Sequence, residues 1–261
     1  MKNKVELFDT HCHLDDPKLN ADLSGVLARA KQAGLVGMAT IGCDYRSSLF
    51  ALHLAEKHEQ VVAAVGVHPS DADTLTPEML EEVAKLAQAE KARAIGEIGL
   101  DYHWDTVPRD QQKKAFVEQI HLAKDLHMPI IIHDREAHGD LFNICRKEQA
   151  GAFGGVMHCF SGSWELAKEA MRMGFLISVG GPLTFKNSRQ LPEIVKQIPL
   201  DYLLLETDSP YLTPEPYRGK TNEPANVYFV AERAARLRAM EVEELAHITT
   251  QNAKKFYEIE D

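Results

Sequence analysis

The sequence predicts one α/β domain, a single (β/α)8 TIM barrel spanning residues 1–261. Three observations predict the barrel. Eight short apolar runs rich in β-branched residues are spread along the chain, and a helical pattern follows each of them. Several of the runs are almost uninterrupted in their apolar character, as strands covered on both faces of a parallel sheet are. No low-complexity tract or Pro/Gly/Ser-rich linker divides the chain, so the strict alternation favours one closed barrel over a doubly wound sheet.

Taken in order, the first strand is read at Val5–Phe8 (VELF). The following DLSGVLARAKQAG reads as a helix ended by Gly34, which can take the left-handed cap conformation without a Cβ clash. Strand two is VGMATIG (Val36–Gly42) and strand three VVAAVGV (Val61–Val67). The helix TPEMLEEVAKLAQAE opens on Thr76 as N-cap with Pro77 at the first helical position. Strand four is RAIGEI (Arg93–Ile98), and the longest helical pattern, RDQQKKAFVEQIHLAKDLH, stops just before Pro129. The remaining strands are PIIIH (Pro129–His133), GGVMHC (Gly154–Cys159), FLISVG (Phe175–Gly180) and YLLLET (Tyr202–Thr207). Two last helices, NVYFVAERAARLRAM and VEELAHITTQNAKKFY, complete and cap the ring.

Composition narrows the function classes. A content of 44% hydrophobic and 26% charged residues is that of a soluble globular protein with ample core. No run approaches the roughly 18 apolar residues of a membrane span, so no membrane partner is expected. MKNKVELFDTHCH lacks the apolar region of a signal peptide, which points to a cytoplasmic protein. The four cysteines, Cys12, Cys43, Cys145 and Cys159, form no CxxC pair and are expected to be reduced. A net charge of −10 opposes broad adhesion to nucleic acid, leaving a local site as the way such a substrate could bind. A monomer is favoured.

The chemistry gathers at the C-terminal strand ends, the face on which this fold carries its active sites. In FDTHCHLDD, His11 and His13 lie two apart, so in an extended strand they share a face with roughly 7 Å between their Cα atoms. Metal–nitrogen bonds of about 2.1 Å let both rings lean onto one ion. Cys12 points the other way. His68 follows strand three, Glu97 ends strand four, His133 ends strand five, His158 follows strand six and Asp208 follows strand eight. Any one of these is commonly a satisfied polar residue; seven converging on one rim define a metal site. Six of them, His11, His13, Glu97, His133, His158 and Asp208, suffice for two divalent ions if a carboxylate bridges. The histidines at 53, 58, 121, 127, 138 and 247 fall in or at the start of helices and are read as surface or packing residues, and His103 lies near the rim. Cys12 and Cys159, turned away by alternation, are read as buried packing residues.

The segments FDTHCHLD, GVHP, GEIGLDY, PIIIHDR, MHCFSG, GGPLTFKN and ETDSPYLTP together resemble the successive motifs of the TatD family of metal-dependent deoxyribonucleases, over almost the whole chain. The resemblance implies a barrel of the metallo-dependent hydrolase type and hydrolysis of DNA phosphodiesters, often as a 3′ exonuclease. It also implies that His11, His13, Glu97 and Asp208 hold one ion while Glu97, His133 and His158 hold the second. Glu97 stands where the wider superfamily often has a modified lysine, which argues against a dihydroorotase or urease type of centre.

On this reading Asp208 orients or deprotonates the attacking water, Glu206 orients a histidine ligand, and His68 donates to the phosphate or leaving group. Arg135 and Lys186 are the candidate phosphate contacts, Arg218 and Lys220 could guide the chain, and Tyr102 and Trp104 are candidates for stacking on a base. The expected substrate is single-stranded DNA at its ends. A rival reading on the same centre is an ester hydrolase of the D-aminoacyl-tRNA deacylase type. Four imidazoles favour zinc or manganese, and phosphodiester sites often use magnesium.

Overall fold

The computed structural model describes residues 5–104 and 106–259. Eight parallel strands run in sequence order, β1 Leu7–Cys12, β2 Leu35–Ile41, β3 Val61–Val65, β4 Ala92–Asp101, β5 Ile130–Arg135, β6 Gly155–Met157, β7 Phe175–Val179 and β8 Leu203–Leu205. The seam between β8 and β1 is closed by single bonds: the amide of Asp208 donates to the His11 carbonyl at 2.9 Å and that of His13 to the Ser209 carbonyl at 2.8 Å. The TIM barrel expected from the alternation is therefore what the chain forms. Strand bounds differ from the sequence reading mainly at β1, which starts at Leu7 and runs on to Cys12, at β4, which runs on to Asp101, and at β6 and β8, which are three residues each.

Ten helices surround the barrel: α1 Pro17–Asn20, α2 Leu23–Ala33, α3 Tyr45–Lys57, α4 Pro77–Ala87, α5 Arg109–Leu126, α6 His138–Glu148, α7 Trp164–Arg172, α8 Gln190–Gln197, α9 Val227–Arg238 and α10 Val242–Phe256, among the described residues. Their ends follow local chemistry. Gly34 caps α2 at φ 98°, and a Cβ there would lie 2.3 Å from the Val5 carbonyl oxygen. The Thr76 side chain accepts from the Met79 amide to open α4, and Asp44 and Ser47 form a reciprocal capping box for α3. None of these helices is long and apolar enough to cross a membrane.

Two apolar clusters result. The larger fills the layer between strands and helices; the smaller, including Phe8, Ala39, Val62, Ala94, Ile131 and Leu204, fills the barrel itself. Tyr257, just past α10, is fully buried in the inner cluster, stacks on Phe8 with centroids 5.7 Å apart, and donates its hydroxyl to the Thr10 carbonyl at 2.7 Å.

Two irregularities in the sheet set up the site. On β1, Leu7 packs outward and Phe8 inward, so regular alternation would send residues 9, 11 and 13 outward with Leu7. The β1–β2 pairing instead advances three residues on β1, from Asp9 to Cys12, against two on β2, from Met38 to Thr40. This extra residue reverses the parity: Cys12 joins the outer cluster, and His11 and His13 turn to the barrel axis. On β4 the same happens between Ile95 and Ile98, which pair with Ile130 and Ile132. Both isoleucines pack outward, and Glu97 between them turns inward.

Candidate metal centre

Glu97 is 3% exposed and lies at the middle of the site. Its Oε1 is 2.7 Å from His133 Nδ1 and 3.0 Å from His158 Nε2; its Oε2 is 3.4 Å from His11 Nε2 and 3.8 Å from His13 Nε2. Asp208 Oδ1 closes the second side, 3.4 Å from His13 Nε2 and 3.9 Å from His11 Nε2. The amide bond from Asp208 to the His11 carbonyl accompanies a left-handed backbone at Asp208, φ 54°, a conformation Asp tolerates better than most residues.

Ring tautomers can be read from partners that only donate or only accept. His13 Nδ1 faces the Ile41 carbonyl at 3.2 Å, so it carries a proton, and in the neutral ring the Nε2 lone pair is left toward the centre. His158 presents Nε2 to Glu97 and Nδ1 to Glu206 Oε1 at 3.3 Å, and that Glu206 oxygen also accepts from the Cys159 amide at 2.7 Å. His133 points Nδ1 at Glu97 and Nε2 at Asp101 Oδ2, 3.0 Å away. His68 differs, because its Nδ1 accepts from the Ser70 amide at 3.0 Å. In the neutral ring its Nε2 must then hold the proton, so it offers an N–H and no lone pair. It lies 4.0 Å from Glu97 Oε1 and is placed to donate.

The donor set fits divalent ions. His11 Nε2 and His13 Nε2 stand 3.2 Å apart, close to the separation of two nitrogens bound to one ion at about 2.1 Å in tetrahedral geometry. Two overlapping trios, His11/His13/Glu97 and His11/His158/Asp208, each hold their donor atoms within 4.8 Å of one another. In the site, His11 Nδ1, Glu206 Oε2 and His158 Nδ1, whose 3.3 Å approach to Glu206 Oε1 is an ion-pair contact, are buried without a hydrogen-bond partner. Residues that could hold metal are thus His11, His13, Glu97, His133, His158 and Asp208.

The protein's own charges reinforce this. Burial pushes the Glu97 carboxyl upward, but the charges of His158, His11 and His133 outweigh it and hold the group well below its ordinary range. Burial pushes His133 down, but the Glu97 charge and the bonds to Asp101 and Glu97 raise it to about 9. His68 goes the other way, to about 3, through burial and then the neighbouring His133 charge. Asp208 resists its own burial through the His13 bond and the imidazole charges and stays below the ordinary carboxylate range.

A cavity of about 750 Å³ opens over these groups. Arg135 lines it, as do Trp104 and Tyr211. Tyr102 and Lys186 do not. Strand alternation past Asp101 turns Tyr102 away, where its hydroxyl donates to Asp140 Oδ2 at 2.7 Å under the Arg109 guanidinium. Lys186 is exposed on the loop after β7, and Arg218 and Lys220 sit over the Phe185 and Tyr217 rings. His103 pairs with Glu136 at 2.8 Å, His121 with Glu148 and His138 with Asp134, all apart from the donor cluster. Cys12 is buried and donates to the Ala39 carbonyl, whereas Cys159, which has a left-handed backbone at φ 43°, is only partly buried.

Two contributors escape the sequence reading. Asp101 shares a strand face with Glu97, four residues on, a signal that alternation offers. Cys43 lies just past β2 with its sulfur 3.6 Å from His13 Nδ1, and its position at a strand end was the available clue.

A parallel eight-stranded barrel with imidazoles and carboxylates converging at its C-terminal strand ends is the architecture of a metal-dependent hydrolase. The chain belongs to the TatD family: the family description "TatD related DNase" matches residues 8–258. It is 49% identical over 253 residues to the uncharacterized metal-dependent hydrolase YabD of Bacillus subtilis, covering 97% of this chain and 99% of that one. It is 38% identical over 257 residues to YcfH of Escherichia coli, also an uncharacterized metal-dependent hydrolase, covering 97% and 96%. Among solved structures, the E. coli TatD homologue YjjV superposes with a TM-score of 0.91 at 30% identity over 97% of this chain and 98% of that one. The family resemblance read from the motifs is thereby established.

Proposed function

We propose that the chain hydrolyses DNA phosphodiesters with two divalent ions, working as a 3′-5′ exonuclease on single-stranded ends in the cytoplasm. One observation carries the reading: the two oxygens of buried Glu97 face two separate sets of imidazoles, His133 and His158 on one side, His11 and His13 on the other. A carboxylate so flanked is suited to bridge. Asp208 would complete the His11/His13 set. Ions held there would polarise the phosphate and lower the pKa of a water; imidazole-rich donors favour zinc or manganese.

The chain's own groups supply the rest. Asp208, kept ionised at neutral pH, is positioned to orient the nucleophile and accept its proton. His68 is neutral at any pH well above about 3, so it gives a hydrogen bond to a phosphoryl or leaving oxygen rather than a proton. Glu206 orients His158 and Asp101 orients His133. Arg135 meets the phosphate at the cavity wall.

The test sets metal-loaded protein against 5′-end-labelled single-stranded DNA and, in parallel, an aminoacyl-tRNA. Stepwise shortening from the 3′ end is expected, with chelation abolishing it. Release of amino acid with the oligonucleotide left intact would replace this reading with the deacylase one.

A further inference from the structure

On the cavity wall Trp104 is unused by the chemistry above, and Arg135 serves there only as a phosphate contact. Trp104 is 61% exposed, yet its turn is tied down: its amide and that of His103 donate to Asp101 Oδ1 at 3.2 and 2.9 Å. The other oxygen of Asp101 accepts from His133 Nε2 at 3.0 Å. One carboxylate therefore fixes the turn that carries the indole relative to the donor cluster. The Arg135 guanidinium lies over that indole, 5.4 Å from the ring centroid. It is also the only Lys or Arg among the described residues lining the cavity, and away from the residues that could hold metal it stands against the carboxylates of Asp15, Asp16 and Asp101. A run of phosphates laid along this rim would meet more anions than cations. A single phosphate beside Arg135 would not.

We infer that Trp104 and Arg135 form the binding site of one terminal nucleotide, its base against the indole and a phosphate against the guanidinium, with recognition ending there. This rests on the phosphodiesterase reading. An aromatic face accepts any base, so the site has no strong base preference. Further length adds little, because electrostatic affinity grows with the number of phosphates neutralised.

The experiment is a cycle on the metal-loaded protein: wild type, W104A and W104F, each with a single-stranded oligonucleotide and with the same strand bearing an abasic 3′-terminal residue. Loss of one stacked base should raise KM roughly 10-fold with little change in kcat. W104A on the intact strand and wild type on the abasic strand should each show that rise. W104A on the abasic strand should show no larger one, since both changes remove the same contact, and W104F should restore most of the loss. Additive effects, or a silent W104A, would overturn the inference while leaving hydrolysis standing. If wild type shortens neither strand, the phosphodiesterase reading falls and this one with it. A dinucleoside monophosphate should have a KM within about 10-fold of a long oligonucleotide's. A KM that falls more than about 100-fold with length would reveal an extended phosphate track and refute the one-nucleotide limit.

Discussion

Replacing Glu97 by Gln preserves the shape of the residue at the centre of the site and removes its charge. Two effects follow from the geometry. In the chelated protein, Glu97 accepts from or faces four imidazoles at 2.7 to 3.8 Å. Breaking a buried ion pair from one side costs about 3–5 kcal/mol, a ceiling here because the histidines can shed protons once the carboxylate is gone. At about 2–4 °C per kcal/mol for a chain somewhat smaller than this one, the melting midpoint should fall by no more than about 20 °C, with the barrel still folded at room temperature. In the metal-loaded protein, partners one layer out from the ligands typically account for about 10- to 100-fold in metal affinity. Loss of the shared carboxylate should therefore cost at least about 100-fold, roughly 2.8 kcal/mol, at both ion positions. The assay is elemental analysis after dialysis against buffered metal, beside melting curves with and without chelator. An E97Q protein that keeps full occupancy at both positions would refute the bridging role. Loss of one ion alone would place Glu97 on a single ion.

Other outcomes follow from the same site. Asp208→Asn should lower single-turnover cleavage by roughly 10² to 10⁴ with metal content falling less, and Asn suits the left-handed backbone there, φ 54°, so folding is spared. Near wild-type cleavage by that variant would remove Asp208 from the mechanism. Asp101→Ala should weaken metal binding by about 10- to 100-fold, because it frees His133 Nε2, and titration of metal into the chelated variant measures it. The pH dependence of binding has a definite sign. His133 titrates near 9 in the metal-free protein, so at pH 7 an ion must displace its proton. Apparent affinity should therefore rise with pH through about 9, by about tenfold per unit for each proton displaced, and keep rising beyond it because His13 and His158 also hold their protons well above the ordinary imidazole range. Affinity independent of pH between 6 and 9 would contradict the protonated, carboxylate-paired state of His133.

Much of this was legible in the residues because the signals are local. Apolar runs separated by helical patterns fix strand order, and Gly34, Thr76 and Pro77 mark helix ends by their backbone chemistry alone. The rim residues were legible because each stands at or just past the end of an apolar run, although Glu97 lies inside β4 once the strand is seen to continue to Asp101. What lay beyond sequence reasoning was the route by which they face inward. A regular β1 would turn His11 and His13 toward the helices; the bulges on β1 and β4 reverse that, and a bulge depends on pairing with a distant strand. Gly96 and Gly99 on β4 were the visible hint, since glycine inside a strand often marks a bulge. Tyr102 was misplaced for a related reason: β4 runs on past Ile98, so Tyr102 follows strand alternation to Asp140 instead of a loop over the cavity.

The central claim, that these imidazoles and carboxylates hold two ions that together cut DNA, is tested most directly by titrating metal into chelated protein while following single-turnover cleavage of 5′-end-labelled single-stranded DNA. Cleavage should be absent without metal, should climb to a plateau at two equivalents per chain, and should yield a ladder shortened from the 3′ end. Cleavage that persists without metal, or saturates at one equivalent, would contradict the account.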